Sequence, residues 1–503
     1  MFTFGFMFRQ YAFLLGLIII SAFASNAQKV IWSLPLSESS KLIYPKVTGQ
    51  NEDGFYFVRS NHPVENENEI YSYRNNRFLV SFYDYDMRLL WEKAVVAGKK
   101  DTRIICFVSV DNYLKEISSE WNKAEKKFRL LTRSFDKAGT ADTSYNTVAE
   151  EEINSVDNET SCFITASQGR NYFLIAYQTQ SESNEQRYAV LLCDSSLHVL
   201  KKNMLHIPLS RKYFNPHQFK VSNSGDIFLF GVKTDSQKRS RDVDRNFFTL
   251  FCKPAINDSW NEYEIRGIEH FLTDAGVAVD ELNHKLVVTG FYSDKTEYSI
   301  AGVFYYHLDL LSPAKNEIRF SSFAPSFLYK FLREQKENYN RELVNYSIDK
   351  IILRRDGGAV IVAESNYTSD YSYYDYYLRT YISRKYYHRD NIIQLSVNKD
   401  GTLLWSNVIQ KEQTSDDDDN IFFSYTSAIA GGKIHCIYNR FLKRRTQVLQ
   451  NNTDILGSEK SSALFSEEQD VYIMPSASKQ VNENMLVIPA YKGKELRLAG
   501  IIF

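Results

Sequence analysis

The residues best suited to recognition chemistry form a tyrosine-rich stretch, "YTSDYSYYDYYLRTYISRKYY", at residues 367–387. A tyrosine ring offers a broad apolar surface, a polar tip and few rotatable bonds, which suits a binding surface. We predict that this stretch binds a protein or a glycan through Tyr371, Tyr373, Tyr374, Tyr376, Tyr377, Arg379, Tyr386 and Tyr387. The alternative interpretation is a long β-hairpin that protrudes from its sheet, with its rings packed on one another and on the adjacent loop.

A second candidate is the acidic run "SDDDDN" at residues 415–420. Calcium loops usually alternate their oxygen ligands with turn residues, so an unbroken acidic run is more typical of a solvated surface. The basic stretch "FLKRRTQ", residues 441–447, can balance its charge. The histidines form no H-x-x-x-H pair, and none lies at ligand spacing from a cysteine and a carboxylate. We therefore predict no metal site and no cofactor.

Motifs for catalysis are missing from the sequence. It contains no G-x-S-x-G elbow, no phosphate-binding loop and no dinucleotide fingerprint. We predict no catalytic residue and interpret the chain as non-catalytic. Glycan hydrolysis stays open as an alternative, because carboxylates from several strands could converge at one point. Such an enzyme would need an open central pocket with two acidic groups roughly 5–10 Å apart.

Charge and cysteine content limit the partners and the redox chemistry. Lys and Arg total 60 against 61 Asp and Glu, so no net field attracts nucleic acid or acidic lipid. The five cysteines are widely spaced in apolar, strand-like contexts, which predicts buried free thiols that act as small hydrophobic residues. One disulfide in an oxidising compartment is the alternative.

The N-terminus has the features of an export signal. Arg9 precedes an apolar run at residues 11–20, and small residues follow as far as Ser25-Asn26-Ala27. We predict a signal peptide over residues 1–27, with cleavage after Ala24 as the alternative. The apolar run is short for a membrane anchor, since a span needs about 20 apolar residues. The mature chain is thus expected to be periplasmic or extracellular, without an integral membrane span.

The mature chain, residues 28–503, is rich in aromatic residues and repeats a strand pattern. Tyr and Phe number 34 each, a composition that favours strands. Residues 345–411 contain four apolar runs, with Asp-Gly turns after the first and the third run, and this order predicts a four-stranded meander. Weaker versions recur at residues 160–207, 217–265 and 274–320, twice between residues 28 and 150, and once from residue 421 to the C-terminus.

These units predict an all-β chain folded as a β-propeller. Seven units of about 50 residues lie within the range for propeller blades, so seven four-stranded blades are expected, with six or eight as alternatives. Single sheets cannot bury both faces, but radially packed sheets bury each face against a neighbour. The strand-like ends "KVIWSLPL" and "ELRLAGIIF" are expected to share one blade and close the ring. Two stacked β-sandwich domains are the competing architecture.

The stretch "NKDGTLLWSNVI", residues 398–409, resembles the repeat of secreted and periplasmic bacterial β-propellers of the quinoprotein-like or WD40-like type. The resemblance implies a propeller and leaves the activity undefined. It does not extend to the adjacent cysteine pair of quinoprotein dehydrogenases, which this chain lacks. "SVNKDGTLLW" also approaches the Ser-x-Asp-x-Gly-x-x-Trp box of sialidase-like propellers, but three residues separate Gly401 from Trp405 and Asn398 replaces the aspartate.

One stretch departs from the β pattern. Residues 326–346, "SFLYKFLREQKENYNRELVNY", predict a short helical insertion between blades. Taken together, the sequence predicts an exported, non-catalytic β-propeller that binds or scaffolds an envelope protein or glycan. It does not define the oligomeric state.

Overall fold

The computed structural model describes residues 28–37, 42–62, 70–71, 77–97, 102–152, 161–182, 185–239, 242–243, 245–311, 317–331, 342–377, 379–416, 421–442, 445–466 and 470–503. The predicted signal peptide, residues 1–27, lies outside these ranges. No helix within them combines the length and the apolar character needed to cross a membrane.

The regular secondary structure of the described chain is almost entirely β-strand. The first strands are β1 (Lys29–Trp32), β2 (Tyr44–Gln50), β3 (Gly54–Ser60), β4 (Ile70–Tyr71), β5 (Arg77–Asp84), β6 (Leu89–Val96), β7 (Thr102–Val110), β8 (Tyr113–Asn122), β9 (Lys127–Phe135), β10 (Asn146–Glu152), β11 (Ser161–Ala166) and β12 (Tyr172–Glu182). They are followed by β13 (Glu185–Asp194), β14 (Val199–Ile207), β15 (Phe214–Val221), β16 (Ile227–Thr234), β17 (Asn246–Lys253), β18 (Asn261–Ile265), β19 (Phe271–Asp280), β20 (Lys285–Ser293), β21 (Ser299–Ile300), β22 (Gly302–Asp309) and β23 (Arg319–Ser322).

After β23 the chain forms helix α1 (Pro325–Leu328) and a 3-10 turn (Tyr329–Phe331). The remaining strands are β24 (Leu343–Val344), β25 (Tyr346–Leu353), β26 (Ala359–Asp375), β27 (Thr380–Val397), β28 (Leu403–Ile409), β29 (Thr414–Asp416), β30 (Tyr425–Ala430), β31 (Lys433–Leu442), β32 (Arg445–Thr453), β33 (Glu459–Ala463), β34 (Val471–Ile473), β35 (Lys479–Asn482), β36 (Met485–Lys492) and β37 (Glu495–Ile502). A second 3-10 turn (Pro475–Ala477) separates β34 from β35.

Apart from β21 and β24, which pair with each other, these strands form eight antiparallel sheets of four or five strands, numbered here in chain order. Sheet I contains β2, β3, β5 and β6; sheet II contains β7 to β10; sheet III contains β11 to β14 with β4 at its edge; and sheet IV contains β15 to β18. Sheet V contains β19, β20, β22 and β23; sheet VI contains β25 to β28, with β29 also pairing to β27; and sheet VII contains β30 to β33. Sheet VIII contains β34 and β35, both paired to β36, then β37 and β1.

The apolar core is divided among the spaces between consecutive sheets. Separate clusters of buried side chains join sheets I and II, II and III, III and IV, IV and V, V and VI, VI and VII, and VII and VIII. A further cluster joins sheet VIII to sheet I; it includes Phe55 and Phe57 from sheet I and Met485 and Val487 from sheet VIII. Each sheet therefore buries its two faces against two different neighbours.

The described residues contain eight such sheets, whereas the sequence units numbered seven. The difference arises after residue 420, where the last predicted unit separates into sheets VII and VIII. Strand β33 is exposed at every position, and β34 has three residues. Because neither strand shows an apolar alternation, the boundary between the two sheets has no signal in the sequence.

The two ends of the described chain pair in one sheet, as predicted. Strand β1 lies antiparallel to β37, with Lys29 opposite Ile502 and Trp32 opposite Ala499. Its side chains alternate between two clusters: Ile31 packs toward sheet I, and Val30 and Trp32 pack toward sheet VII. Strand β1 thus contributes to both faces of sheet VIII.

The stretch "DYDMRLLWEKAV", residues 84–95, has a turn and a tryptophan-bearing strand like those of residues 398–409, and the two strands are the fourth strands of their sheets. Trp91 lies in β6 and Trp405 in β28. Each indole contacts a glycine in the turn that precedes the outer strand of the next sheet, Gly139 for Trp91 and Gly457 for Trp405. Both glycines have positive φ, and a Cβ atom at either one would lie within 2.8 Å of the indole. The repeated segment therefore fixes the packing of one sheet on the next.

The predicted helical insertion is only partly helical. Residues 325–331 are helical, and residues 332–341 lie outside the described residues. The end of the predicted range is wrong, because Leu343 and Val344 form β24, which pairs with β21, and Tyr346 begins β25. The five cysteines are buried reduced thiols, as expected. Burial raises the thiol pKa of Cys106, Cys193, Cys252 and Cys436 to about 12.

Candidate functional site

The tyrosine-rich stretch forms the outer half of a long hairpin. Strands β26 and β27 pair from Ala359 opposite Val397 to Asp375 opposite Thr380. The neighbouring strands are shorter. Strand β25 pairs with β26 only as far as Ser365, and β28 pairs with β27 only as far as Ile392. The hairpin therefore continues beyond the body of sheet VI. We call residues 366–389 the tyrosine hairpin.

The predicted binding residues all lie on the tyrosine hairpin, but its register places them on two faces and at the tip. Because side chains alternate along a strand, cross-strand partners share a face. One face carries Tyr371, Tyr373 and Tyr386, and the other carries Tyr374 and Tyr387. The tip carries Tyr376, Tyr377 and Arg379. The sequence thus located the residues but could not assign them to a common surface.

Some tyrosine rings contact one another, and most remain exposed. The Tyr374 ring lies 5.2 Å from the rings of Tyr376 and Tyr381. Tyr376 and Tyr377 are nevertheless 84% and 99% exposed. The hairpin predicted by the alternative interpretation is present, yet its ring contacts leave a large aromatic area in contact with solvent. Such an area is expected of a surface that binds a partner.

Polar contacts fix the base of the tyrosine hairpin. Tyr367 stacks on His388 with ring centroids 4.3 Å apart, and its hydroxyl donates to Asp390. Strand β29 pairs with β27, and there Arg384 forms a 2.8 Å ion pair with Asp416. Of the predicted acidic run, residues 417–420 lie outside the described residues.

A buried ion pair anchors the hairpin to the protein core. Lys411 is 1% exposed, and its Nζ lies 2.8 Å from Oε1 of Glu364, which is 3% exposed and belongs to β26. The same Nζ donates to the carbonyl of Arg389 on β27 and to Oε1 of Gln413. Lys411 therefore joins both strands of the hairpin where they leave sheet VI. Burial lowers the pKa of Lys411, and the Glu364 carboxylate opposes that shift.

The anchor continues into the next two sheets through two buried amides. Gln413 Nε2 donates to the carbonyl of Asn439 in sheet VII over 2.6 Å. Asn439 in turn donates to the carbonyl of Ile473 in sheet VIII and accepts from its N–H. A charge held by a closed hydrogen-bond network has a defined position. The tyrosine hairpin therefore leaves the protein from a rigid base.

Two carboxyl groups with raised pKa lie on the first strands of sheets V and VI. Asp274 of β19 accepts a 2.7 Å hydrogen bond from the backbone N–H of Ile348 in β25. Asp349, which follows Ile348 in β25, accepts a 2.9 Å hydrogen bond from the Tyr425 hydroxyl. Desolvation by the surrounding protein raises the pKa of Asp349 to about 7, and the nearby charge of Glu364 adds to this shift. Burial raises that of Asp274 to about 6.

These two shifts predict that the contribution of Asp274 and Asp349 to stability is lost as the pH rises from about 4 to about 8. Between the ordinary and the raised pKa, the folded protein binds more protons than the unfolded chain, so each step up in pH favours unfolding. Asp349→Asn keeps an acceptor for Tyr425 and removes the titration. We expect the melting temperature of the variant, relative to that of the parent protein, to increase as the pH rises. Thermal unfolding of both proteins at intervals from pH 4 to 8 measures this difference. A constant difference between the two proteins would show that Asp349 does not titrate in this range.

The sequence reasoning missed Glu364, Lys411, Asp274 and Asp349. Glu364 follows the apolar run "AVIVA", and Lys411 follows the strand "LLWSNVI". A charged residue that interrupts or directly follows an apolar strand was the available signal. Within the described ranges, no three His, Cys, Asp or Glu side chains are grouped as the ligands of a metal ion would be.

The fold and these sites define an all-β protein built from four-stranded antiparallel sheets. No protein-family model and no curated protein matches the chain. Among solved structures, it is similar to Sqt1 of Chaetomium thermophilum bound to the N-terminus of ribosomal protein L10, with 11% identity, coverage of 92% of this chain and 100% of that chain, and a TM-score of 0.41.

Two other similar structures are enzymes. A mutant of the Synechocystis apocarotenoid oxygenase is 8% identical, with 90% and 94% of the two chains covered and a TM-score of 0.32. The acylaminoacyl peptidase of Pyrococcus horikoshii is 11% identical, with 78% of this chain and 51% of that chain covered and a TM-score of 0.31. Similarities this weak carry no functional argument.

Proposed function

We propose that the protein is an exported, non-catalytic β-propeller of eight blades that binds a protein or glycan of the cell envelope through the tyrosine hairpin. The observation that carries the proposal is the hairpin itself: a rigidly anchored, two-stranded projection with exposed tyrosines on both faces and at its tip. Its partner would contact the projection from more than one side.

The cyclic packing of the sheets supports the propeller. Each of the eight sheets shares one apolar cluster with the sheet before it and another with the sheet after it, and sheet VIII packs on sheet I. A ring satisfies these contacts with every face buried. In a β-sandwich each sheet packs against one partner and leaves its other face uncovered, which does not match these contacts. The pairing of β1 with β37 would then close the ring.

The N-terminal sequence supports export. The apolar run at residues 11–20 and the small residues before Gln28 fit a cleaved signal. Strand β1 begins at Lys29, so cleavage after Ala27 would leave the whole closing strand in the mature protein. The final compartment would be the periplasm or the cell exterior, which agrees with the resemblance of residues 398–409 to the repeat of secreted and periplasmic propellers.

The chemistry of the hairpin supports binding over a purely structural role. Its outer residues add nothing to the apolar clusters between the sheets, so the fold does not need their tyrosines. Exposed rings with few rotatable bonds lose little conformational entropy when a partner covers them. Arg379 and Arg384 supply charge beside the rings.

Shortening the hairpin is predicted to abolish partner binding and leave the fold intact. Ser369 and Tyr386 are directly paired, so residues 370–385 can be replaced by Asn-Gly, which closes a two-residue turn. We expect the shortened protein to recover no partner from envelope extracts in a pull-down, with an unchanged melting temperature. Undiminished recovery would remove the tyrosine hairpin as the binding site.

Substitutions within the full-length hairpin serve as the matched control. Replacing Tyr371, Tyr374, Tyr376 and Tyr377 together by Ser should abolish recovery, because the ring area is lost. Replacing the same four by Phe should keep most of it, because the rings remain. Equal recovery by the Ser and Phe variants would contradict a role for the rings.

Glycan hydrolysis is the second candidate function, and the raised pKa values of Asp274 and Asp349 favour it. A carboxyl that stays protonated near pH 6–7 can act as a general acid beside an ionised partner. Turnover of envelope polysaccharides that is lost in Asp349→Asn and in Asp274→Asn would establish it. No turnover by the parent protein between pH 5 and 8 would remove it.

A further inference from the structure

A cleft of about 640 Å³ opens between sheets IV and V, away from the tyrosine hairpin. It lies at the start of β15 and β19 and at the end of β16. In a four-stranded meander, the second strand ends where the loop between strands two and three begins, so both lie at the same edge of the sheet. The cleft and the tyrosine hairpin therefore open on the same side of their sheets. Its volume lies within the range of small-molecule sites.

Two β-bulges direct polar side chains into this cleft. The pairing of β15 with β16 shifts between Pro216 and Gln218, so His217 is the extra residue. The pairing of β19 with β20 shifts between Leu272 and Asp274, so Thr273 is the extra residue. His217 and Thr273 both line the cleft. Bulges that re-aim a side chain are frequent beside binding sites.

Both bulge residues have unused hydrogen-bonding capacity. Oγ1 of Thr273 is buried without a hydrogen-bond partner among the described residues. Within the same described ranges, the ring nitrogens of His217 make no hydrogen bond, and its ring contacts the edge of Phe230. Burial lowers the pKa of His217, so the neutral ring offers one donor and one acceptor. A buried hydroxyl such as that of Thr273 is normally satisfied, which points to a ligand that supplies its partner, and the half-buried His217 lines the same cleft.

The other walls supply a fixed polar side and an apolar side. Asn246 Nδ2 donates to Glu297 over 2.8 Å, and Asn246 Oδ1 accepts from the Thr234 hydroxyl over 2.9 Å. These bonds hold Glu297 against the wall. Phe248 and the exposed ring of Tyr298 form the apolar side.

The rim of the cleft carries two consecutive cations. Arg211 and Lys212 both line it and both are exposed to solvent. Glu297 is the one acidic residue among those that line the cleft, so Arg211 and Lys212 leave the lining with a net charge of +1. A guanidinium beside an ammonium is a favourable site for a carboxylate.

We propose that this cleft binds an acidic sugar, with its carboxylate at Arg211 and Lys212 and its ring hydroxyls on His217 and Thr273. A pyranose ring has a hydroxyl-bearing edge and an apolar face, which match the polar and aromatic walls. The acid is either a free uronic acid or the residue of an acidic polysaccharide. The site does not depend on the tyrosine hairpin or on the proposed function of that hairpin.

Calorimetric titration of the full mature protein with glucuronate, with glucuronate-containing oligosaccharides and with glucose tests the proposal. We expect saturable binding of the acidic sugars in the millimolar range or tighter, and no binding of glucose. Tighter binding of the oligosaccharides identifies a polysaccharide as the source, and equal affinities identify the free acid. No saturable binding of any acidic sugar, or equal binding of glucose, would overturn the proposal.

Two conservative variants locate the site. Thr273→Val keeps the shape and removes the hydroxyl, and His217→Phe keeps a ring against Phe230. Each should weaken binding about tenfold, the effect expected for the loss of one buried hydrogen bond. Leu456→Ser, at an exposed turn on the opposite side of its sheet, should bind as the parent does. Parental affinity in both cleft variants, with their melting temperatures unchanged, would place the sugar elsewhere.

Discussion

Replacing Lys411 by Met is expected to lower the free energy of unfolding by about 3–5 kcal/mol, the range for removing one partner of a buried ion pair. Methionine has nearly the volume of lysine, but it leaves the buried carboxylate of Glu364 with the more distant Arg389, whose Nε lies 4.0 Å from Oε2, in place of the close Lys411. It also removes the donor to the Arg389 carbonyl and to Gln413. Urea unfolding of the variant and the parent protein measures the loss.

The double variant separates the ion pair from its surroundings. Glu364→Gln combined with Lys411→Met removes both charges, so much of the lost stability should return. Lys399→Met, at an exposed turn of the same sheet, is the matched control and should change the free energy of unfolding by less than about 0.5 kcal/mol. If Lys411→Met were as harmless as Lys399→Met, the ion pair would not anchor the hairpin.

Removing residues 28–37 is expected to destabilise the whole protein by at least about 3 kcal/mol. Strand β1 contributes the half-buried side chains of Val30, Ile31 and Trp32 to the faces of sheet VIII. Leu36, which the deletion also removes, is buried, and a fully buried apolar side chain is worth about 1.5–3 kcal/mol. Trp32 also contacts Phe465, with ring centroids 5.5 Å apart. Loss of β1 also leaves the backbone N–H and C=O groups at the edge of β37 unpaired, which favours self-association. Thermal unfolding and sedimentation measure the two effects.

A circular permutant is the control for this deletion. Lys29 lies opposite Ile502, so a short turn can join residue 503 to residue 28 as a hairpin. New termini can be opened between Gly431 and Gly432, where neighbouring atoms leave open space. The permutant retains β1 and should melt within a few degrees of the parent protein. Equal stability of the deletion variant and the parent would show that β1 does not close the structure.

Local patterns in the sequence accounted for much of the fold. The apolar runs and turns at residues 345–411 predicted the four strands of sheet VI, because strand periodicity and turn residues are local properties. The pairing of "KVIW" with the C-terminal strand followed from the need of each sheet to bury two faces. Strand β33 was missed because its side chains are exposed at every position. Strand β24 was taken as helix because its pairing with β21 is a tertiary contact.

The candidate sites were less predictable. The tyrosine hairpin was visible from composition, but the faces of Tyr373 and Tyr374 depend on a register that no local pattern gives. Lys411 and Glu364 form an ion pair only because the fold brings β26 close to the segment that follows β28. His217 and Thr273 line one cleft only because β15 and β19 begin two sheets that pack against each other. In each case the informative contact joins residues distant in sequence.

Site-specific photo-crosslinking from the tyrosine hairpin tests the account most directly. A benzophenone amino acid is placed at Tyr377, which is 99% exposed at the tip, and in a matched protein at Leu456, on the opposite side of the sheets. After irradiation in intact envelope fractions, binding by the hairpin predicts a covalent adduct from position 377 and none from position 456. Adducts from position 456 alone, or no adduct from position 377 in fractions where the pull-down recovers the partner, would contradict it.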